Sequence, residues 1–468
     1  MPRDRETQSL TVVTRRSCPG SRITEILTRL WPSLTQFLGV ESECRVTYGR
    51  DQWIGGHVTE RTEIVGGPVV VVGAGHGGAN LVALLRQEGF SGEIVMFGDE
   101  RHLPYHRPPL SKKFMDDDLL RQYLRPEAFY GENGIDLRLG AVVTTIDPQA
   151  CTVTTADGEE VGYAYLVIAT GSRPRQLSTP GMGSDGVLSL RTIDDAARLR
   201  TAIEHHGRLA IVGGGYIGLE VAAQARTHGV DVTVLEREKR VLARVASQEF
   251  SEFLTCHHRN QGTVIRTSVD VTEVVEKSGS VAAIDLADGE RIECGSVLVG
   301  VGAIPNDDIA AGAGIACDGG ILVDGNGSTG VPGVFAIGDV TRRPMGDGFM
   351  RFESIPSALE QAKRVAAIIS GARSPHPEVP WFWSDQFDLK LKIAGHVHLG
   401  HSSHVRHDVN GGKFGIFHLD ESHRLVAVET VNASAYFMAG KKFIGGADVL
   451  DPDALADPEC DLRACVVR

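Results

Sequence analysis

Two glycine-rich turns hold the first chemistry in this chain: Gly73-Ala74-Gly75-His76-Gly77-Gly78 and, far downstream, Gly213-Gly214-Gly215-Tyr216-Ile217-Gly218. In this spacing the first glycine makes a tight turn, the second lets the backbone approach a pyrophosphate, and the third lets the following helix pack close. The helix N-terminus then turns free N–H groups and the positive end of its dipole toward the phosphates. A dinucleotide site also needs an acid for the ribose. Asp99 or Glu100 follows the apolar run 94–97, and Glu236 follows 232–235. Two complete sites are therefore expected. At the second, the Glu236 carboxylate suits a ribose 2′-hydroxyl and repels a 2′-phosphate, which favours NADH over NADPH; Arg237 and Arg240, close behind, temper that preference.

The elements that position these turns are legible in the same stretches. Val69–Val72 is a continuous β-branched run, as in a parallel strand buried on both faces, and a helical pattern follows the turn over 80–87. The order repeats with 209–212 and 219–227. Strands alternate with helices over 67–370, which makes the class α/β with parallel sheets. From Trp381 the runs 390–394, 413–418 and 425–431 alternate and a helix-like end follows, so a third, α+β domain is expected. The predicted architecture is α/β: two Rossmann-like dinucleotide-binding domains, the first discontinuous (67–177 and 305–378) and the second spanning 178–304, plus a C-terminal α+β domain over 379–468. Residues 1–66 contain Arg but no Lys and only one helical stretch, 23–31, before Pro32; they are expected to be an extension outside the domains, either a disordered tail or the product of an upstream start, with a small docking element as the alternative.

Composition narrows the class further. The 55 glycines among 468 residues, without a collagen period, imply repeated close backbone approaches. A formal net charge of −13 argues against nucleic acid, and the sequence holds neither a membrane-length apolar run nor a signal-peptide pattern, so a cytoplasmic protein is expected. The eight cysteines are scattered and suit reduced thiols.

Nine segments in order carry a resemblance: YHRPPLSKKF (105–114), YLVIATGSRPR (165–175), LRTIDDA (190–196), IVGGGYIGLEVAA (211–223), VTVLEREKRVLARV (232–245), VGAIPN (301–306), VFAIGDV (334–340), ESIPSALEQA (353–362) and PWFWSDQFDLKLKIAG (380–395). With them the chain resembles, over about 67–445, the FAD-dependent NADH:ferredoxin reductases of bacterial oxygenase systems, whose dinucleotide domains are glutathione-reductase-like. RPPLSK and WFWSDQ are specific to that group, whereas ATG and GD occur in flavin reductases generally.

The resemblance implies a role for each matching residue. The first loop (Gly73, Gly75, Gly77, Gly78) would hold the FAD pyrophosphate and Asp99 the adenosine ribose, with Val143 at the adenine side and Arg191 a further FAD contact. Lys112 would lie beside the flavin ring, where a cation stabilises the charge that develops on reduction, and Glu220 would point toward it. Asp339 would accept hydrogen bonds from the ribityl chain, and Ile355 would bring its backbone to the pyrimidine edge. The second loop (Gly213, Gly215, Gly218) with Glu236 would hold NADH. Hydride transfer to a flavin needs no protein acid or nucleophile, and no Cys-x-x-Cys or Cys-x4-Cys occurs in the two dinucleotide segments, so electrons are expected to leave singly to an external [2Fe–2S] ferredoxin that feeds a monooxygenase or dioxygenase.

Other groupings are read more plainly. Trp383 is placed near the flavin on the partner's side, and Lys363, Arg364, Lys390 and Lys392 are candidates for a basic patch that steers an acidic ferredoxin. Cys460 and Cys465 are read as bystander thiols. Five of the 17 histidines fall within 396–407; His396 and His398 would share one strand face, but an exposed hairpin without metal is the expectation. A rubredoxin reductase, a nitrite-reductase-like NADH component, and a non-enzymatic flavoprotein like apoptosis-inducing factor remain as alternatives.

Overall fold

In the computed structural model, residues 67–116, 122–345, 348–407 and 412–467 are described. The expectations for residues 1–66, including the helix over 23–31, lie outside them. Three five-stranded sheets organise the rest.

The first sheet runs Val334–Ala336, Tyr165–Ile168, Val69–Val72, Ile94–Gly98, Ile135–Leu139, with every pair parallel. Val69, Val70 and Val71 have no exposed surface, as the β-branched run requires of a strand covered on both faces. Burying each such side chain contributes about 1.5–3 kcal/mol. One face is covered by the helices His76–Gln87 and Ile355–Ile369, whose Leu81, Val82, Leu85, Val365, Ala366 and Ile369 belong to one apolar cluster with Val69 and Val71. The second helix starts cleanly: the Ser354 hydroxyl accepts from the Ser357 N–H and Pro356 lies in the first turn.

The second sheet repeats the plan with Val264–Thr267, Asp231–Glu236, Arg208–Val212, Ser296–Val299 and Val187–Leu188, again all parallel. The third is antiparallel: Trp381–Gln386, Leu389–Gly395, Leu425–Val431, Phe414–Leu419, Ser402–His407. Helix Ser434–Gly446 covers it through Phe437 and Phe443, which share an apolar cluster with Phe417 and Val428. The expected three runs are present, and two further strands flank them.

The third sheet also carries a buried acid into the second domain. Glu429, with no exposed surface, accepts from the Ser247 N–H at 3.1 Å and lies 2.9 Å from His418 Nε2. Ser247 is the N-cap of helix Gln248–Asn260, so the carboxylate also faces the positive end of that helix. Among the described residues, no helix is long and apolar enough to cross a membrane.

Candidate functional site

A cavity of about 950 Å³ runs between the two glycine turns and is lined from all three sheets' domains. At its first end, Gly73 leaves the strand with φ +117, where a Cβ would stand 2.3 Å from the Ala169 carbonyl oxygen; only glycine fits. A Cβ on Gly78 would meet the Gly73 oxygen at 2.0 Å, so this glycine serves close helix–strand packing. Gly75 differs, because a Cβ there would touch no protein atom. The space in front of it is left for something outside the chain, beside the N-terminus of helix His76–Gln87. This is the cradle a pyrophosphate requires.

The two acids after the second strand have separate tasks. Glu100 is engaged by the Tyr105 hydroxyl and the Arg107 guanidinium, both at 2.6 Å. Asp99 is exposed on the cavity wall and has its carboxylate available to a ribose. The His76 imidazole, at the start of the helix, is buried with Nε2 lacking a partner and its ring edge-on to His106 at 5.6 Å. Burial, assisted by the positive charges of His106, Arg107 and Arg191, brings its pKa down to about 3.

In mid-cavity, RPPLSK ends in a short helical turn that brings Lys112 Nζ to 2.7 Å from Glu220 Oε1. Glu220 is 5% exposed, on the helix that follows the second glycine turn. Its carboxylate also accepts from the hydroxyls of Ser111 and Ser384. A buried carboxylate needs such donors. Deeper in, Arg191 Nη2 lies 3.3 Å from Asp339 Oδ2, both on the wall, and Ile355 opens the helix Ile355–Ile369 beside them. Glu353, paired with Arg351 at 2.6 Å, has its pKa raised by burial and by Asp339.

At the second end the backbone repeats itself. Gly213 has φ +110 with a virtual Cβ 2.5 Å from the Gly300 oxygen, Gly218 would meet the Gly213 oxygen at 2.4 Å, and Gly215 again faces open space. Glu236 sits at its strand's end and accepts from the Gly214 N–H at 2.7 Å and the Glu238 N–H at 2.8 Å. Arg240 reaches away from it, to Ser251 Oγ at 2.6 Å and the Ala243 carbonyl at 3.0 Å.

Some expected positions differ. Val143 is not on the cavity wall; it is 7% exposed in the apolar cluster beneath the first sheet, with Ile146 and Phe97. Its side chain packs in the core. Arg364, expected as a docking cation, is turned inward, its side chain 11% exposed and bound to Glu360 at 2.7 Å. Lys363 and Lys441 share Glu378, at 3.0 and 3.7 Å, and Lys392 Nζ lies 3.2 Å from Ser434 Oγ and 5.6 Å from the Phe437 ring centroid. Lys390 pairs with Asp385 at 3.1 Å. Trp383 is on the cavity wall, 5.8 Å from Trp381.

His396 and His398 do not share a strand. They belong to a turn around the 3-10 helix Val397–Leu399, line the cavity and lie 5.7 Å apart, while His404 and His407 fall in the edge strand. Burial and the neighbouring His398 and Arg343 bring His396 down to about 4. The Cys460 and Cys465 sulfurs are 3.9 Å apart in the C-terminal segment, and no cysteine is among the residues lining the cavity. Sequence reasoning did not single out Ser111, Ser384, Gln386, His258, His76 or Glu353. Ser384 and Gln386 lie within WFWSDQ, Ser111 within RPPLSK, Glu353 at the head of ESIPSALEQA and His76 inside the first glycine turn, whereas His258 falls in no such segment.

Comparison with known proteins agrees with this geometry. Residues 67–362 match the family model described as pyridine nucleotide-disulphide oxidoreductase, and 381–466 match the reductase C-terminal model. The chain is 44% identical over 404 residues to the "Probable ferredoxin reductase CtmF" of Castellaniella defragrans, covering 85% of this chain and 98% of that protein. It is 38% identical to the ferredoxin–NAD(+) reductase component of the p-cumate 2,3-dioxygenase system of Pseudomonas putida, with the same two coverages. Among solved structures, the reductase in the covalent putidaredoxin reductase–putidaredoxin complex superposes with a TM-score of 0.82 at 36% identity, over 85% of this chain and 98% of that one. The chain therefore belongs to the pyridine nucleotide-disulphide oxidoreductases and, within them, to the ferredoxin reductases of oxygenase systems.

Proposed function

We propose that this chain draws electrons from NADH and delivers them one at a time to a [2Fe–2S] ferredoxin of a monooxygenase or dioxygenase, in the cytoplasm. The observation that carries the reading is one continuous cavity with a pyrophosphate cradle at each end and the Lys112–Glu220 pair between them. The enzyme is an NADH-dependent, FAD-containing oxidoreductase. FAD supplies the chemistry, accepting a hydride and releasing single electrons.

The chain's residues bind, orient and tune. We assign the first cradle, Asp99, Arg191, Asp339 and the backbone at Ile355 to FAD, and the second cradle with Glu236 to NADH. Lys112 faces the flavin and stabilises negative charge there, held in place by Glu220. We assign residues 67–177 with 305–378 to the FAD domain, 178–304 to the NADH domain and 379–468 to the C-terminal domain. Trp383, with Lys363, Lys390 and Lys392 nearby in the fold or on its sheet, forms the docking face, where positive charge steers an acidic partner.

The test is anaerobic mixing of the FAD-loaded protein with NADH, followed by addition of oxidised ferredoxin. Bleaching of the flavin and then stoichiometric reduction of the ferredoxin are expected. A flavin that NADH leaves oxidised would overturn the reading.

A further inference from the structure

The Glu220 carboxylate, on a helix of the second domain, collects donors from both of the other domains, and one of those donors heads a longer chain. Ser384, with no exposed surface, reaches from strand Trp381–Gln386 of the C-terminal domain and donates its hydroxyl to Glu220 Oε1 at 2.6 Å. Gln386, two residues along on the same face of the strand and 1% exposed, donates from Nε2 to Ser384 Oγ at 3.0 Å. Its Oε1 lies 2.9 Å from Nε2 of His258, fully buried on helix Gln248–Asn260. With the amide nitrogen committed to Ser384, Oε1 is left as the acceptor, so His258 donates from Nε2. Burial holds His258 down to about 4, and it stands there as a neutral donor. Every hydrogen in the series therefore points the same way, from His258 through Gln386 and Ser384 to Glu220.

Ser384 and Lys112 share one oxygen. Both donate to Oε1, whereas Ser111 donates to Oε2. The negative charge of Oε1 is thus divided between a lysine and a hydroxyl that is itself polarised by the donors behind it. Without that hydroxyl, Oε1 would neutralise Lys112 more completely and less positive potential would reach the cavity. Trp383, the neighbouring residue on the strand, points the opposite way, so the position of this strand is felt both at the docking face and at Glu220.

We propose that Ser384, anchored by Gln386 and His258, is a positioning residue that sets how much of the Lys112 charge is directed at the flavin, and so makes the C-terminal domain part of the redox centre. The inference rests on the assignment of Lys112 to the flavin in the proposed function.

The test uses the FAD-loaded protein with Ser384→Ala, Ser384→Cys and Ser384→Thr. Two readouts are taken: the flavin midpoint potential by dye equilibration and the rate of flavin reduction by NADH in rapid mixing. Ser384→Ala is expected to shift the potential negative by about 30 mV, equivalent to a tenfold weaker preference for the reduced two-electron form. It is expected to slow reduction by a similar factor while the NADH concentration for half-saturation stays unchanged. Ser384→Cys keeps the volume with a weak donor and should fall between, and Ser384→Thr, which keeps the hydroxyl, should restore both readouts. If Ser384→Ala keeps the wild-type potential and rate, or if Thr behaves as Ala does, the proposal is wrong. If NADH fails to bleach the wild-type flavin, the proposed function fails instead.

Discussion

The two glycine turns are nearly the same piece of backbone used for different purposes. Both leave a buried strand at a positive-φ glycine, both use a glycine to seat the helix, and both leave open space before the middle glycine. They part at the residues beside them. The first turn carries a buried His76 whose Nε2 has no partner and has an acid, Asp99, that holds no hydrogen bond of its own turn and stands free on the wall. The second carries Tyr216, a half-buried residue whose hydroxyl is buried and unpartnered, but its acid Glu236 is already bound to the Gly214 and Glu238 amides. A site whose acid is held by its own backbone is preorganised before the ligand arrives, and less ordering is required at each binding event. That suits a substrate that enters and leaves in every turnover. The first turn keeps its polar groups in reserve for a resident.

The contrast breaks most visibly at the backbone. Gly73→Ala forces a Cβ against the Ala169 carbonyl at a φ that costs about 1–3 kcal/mol in a non-glycine residue, and purified protein is expected to lose its FAD absorbance. The acids sharpen it. Glu236→Ala is expected to raise the KM for NADH about tenfold, for roughly 1.5 kcal/mol of lost charged hydrogen bonding, with FAD content unchanged. Asp99→Ala should do the reverse, raising the FAD dissociation constant by a similar factor with little change in KM for NADH. If either substitution moved both constants equally, the two ends would not be independent sites.

The smallest effect separates His76 from Tyr216. His76 titrates near 6.5 in the unfolded chain and at about 3 when folded, so the unfolded state takes up the proton first. Its contribution is intact above pH 6.5 and is lost as pH falls toward 3. His76→Gln should therefore make the FAD-free chain less acid-sensitive by about 0.8 kcal/mol at pH 6, read from urea unfolding at several pH values. The Tyr216 phenol, raised well above 10 by burial and by Glu429 and Glu220, stays protonated in both states throughout that range. Tyr216→Phe should leave the pH dependence of stability unchanged.

Local sequence carries both ends of this comparison, and less of what lies between them. The turns, the strand before each and the acid after each are legible because each is written within about thirty residues, as glycine spacing and β-branched runs. The resemblance carried Lys112 and Glu220 together across the gap between them. What sequence could not reveal is assembled from distant parts: Ser384, Gln386 and His258 are ordinary polar residues whose one shared property is that folding stacks them into a series. The inward turn of Arg364 and the packing of Val143 are likewise decided by neighbours, Glu360 in one instance and the core beneath the first sheet in the other. A basic residue on a helix looks the same in sequence whether it faces solvent or a buried acid.

The order of strands in the first sheet has a consequence for how the protein is made. Val334–Ala336 takes the edge beside Tyr165–Ile168, and between them the chain lays down the entire second sheet. On the ribosome the earlier four strands must wait on the order of ten seconds for the fifth. During that interval the second domain can form, while the side of Tyr165–Ile168 that will be covered stands open as an unpaired edge. Asp339, which follows directly on the late strand, arrives last of all the cavity's acids but Glu353. With Asp339 and the FAD domain assigned as proposed, uptake of the flavin is tied to near-completion of the chain, and ribosome-bound chains stalled before residue 334 are expected to retain no FAD.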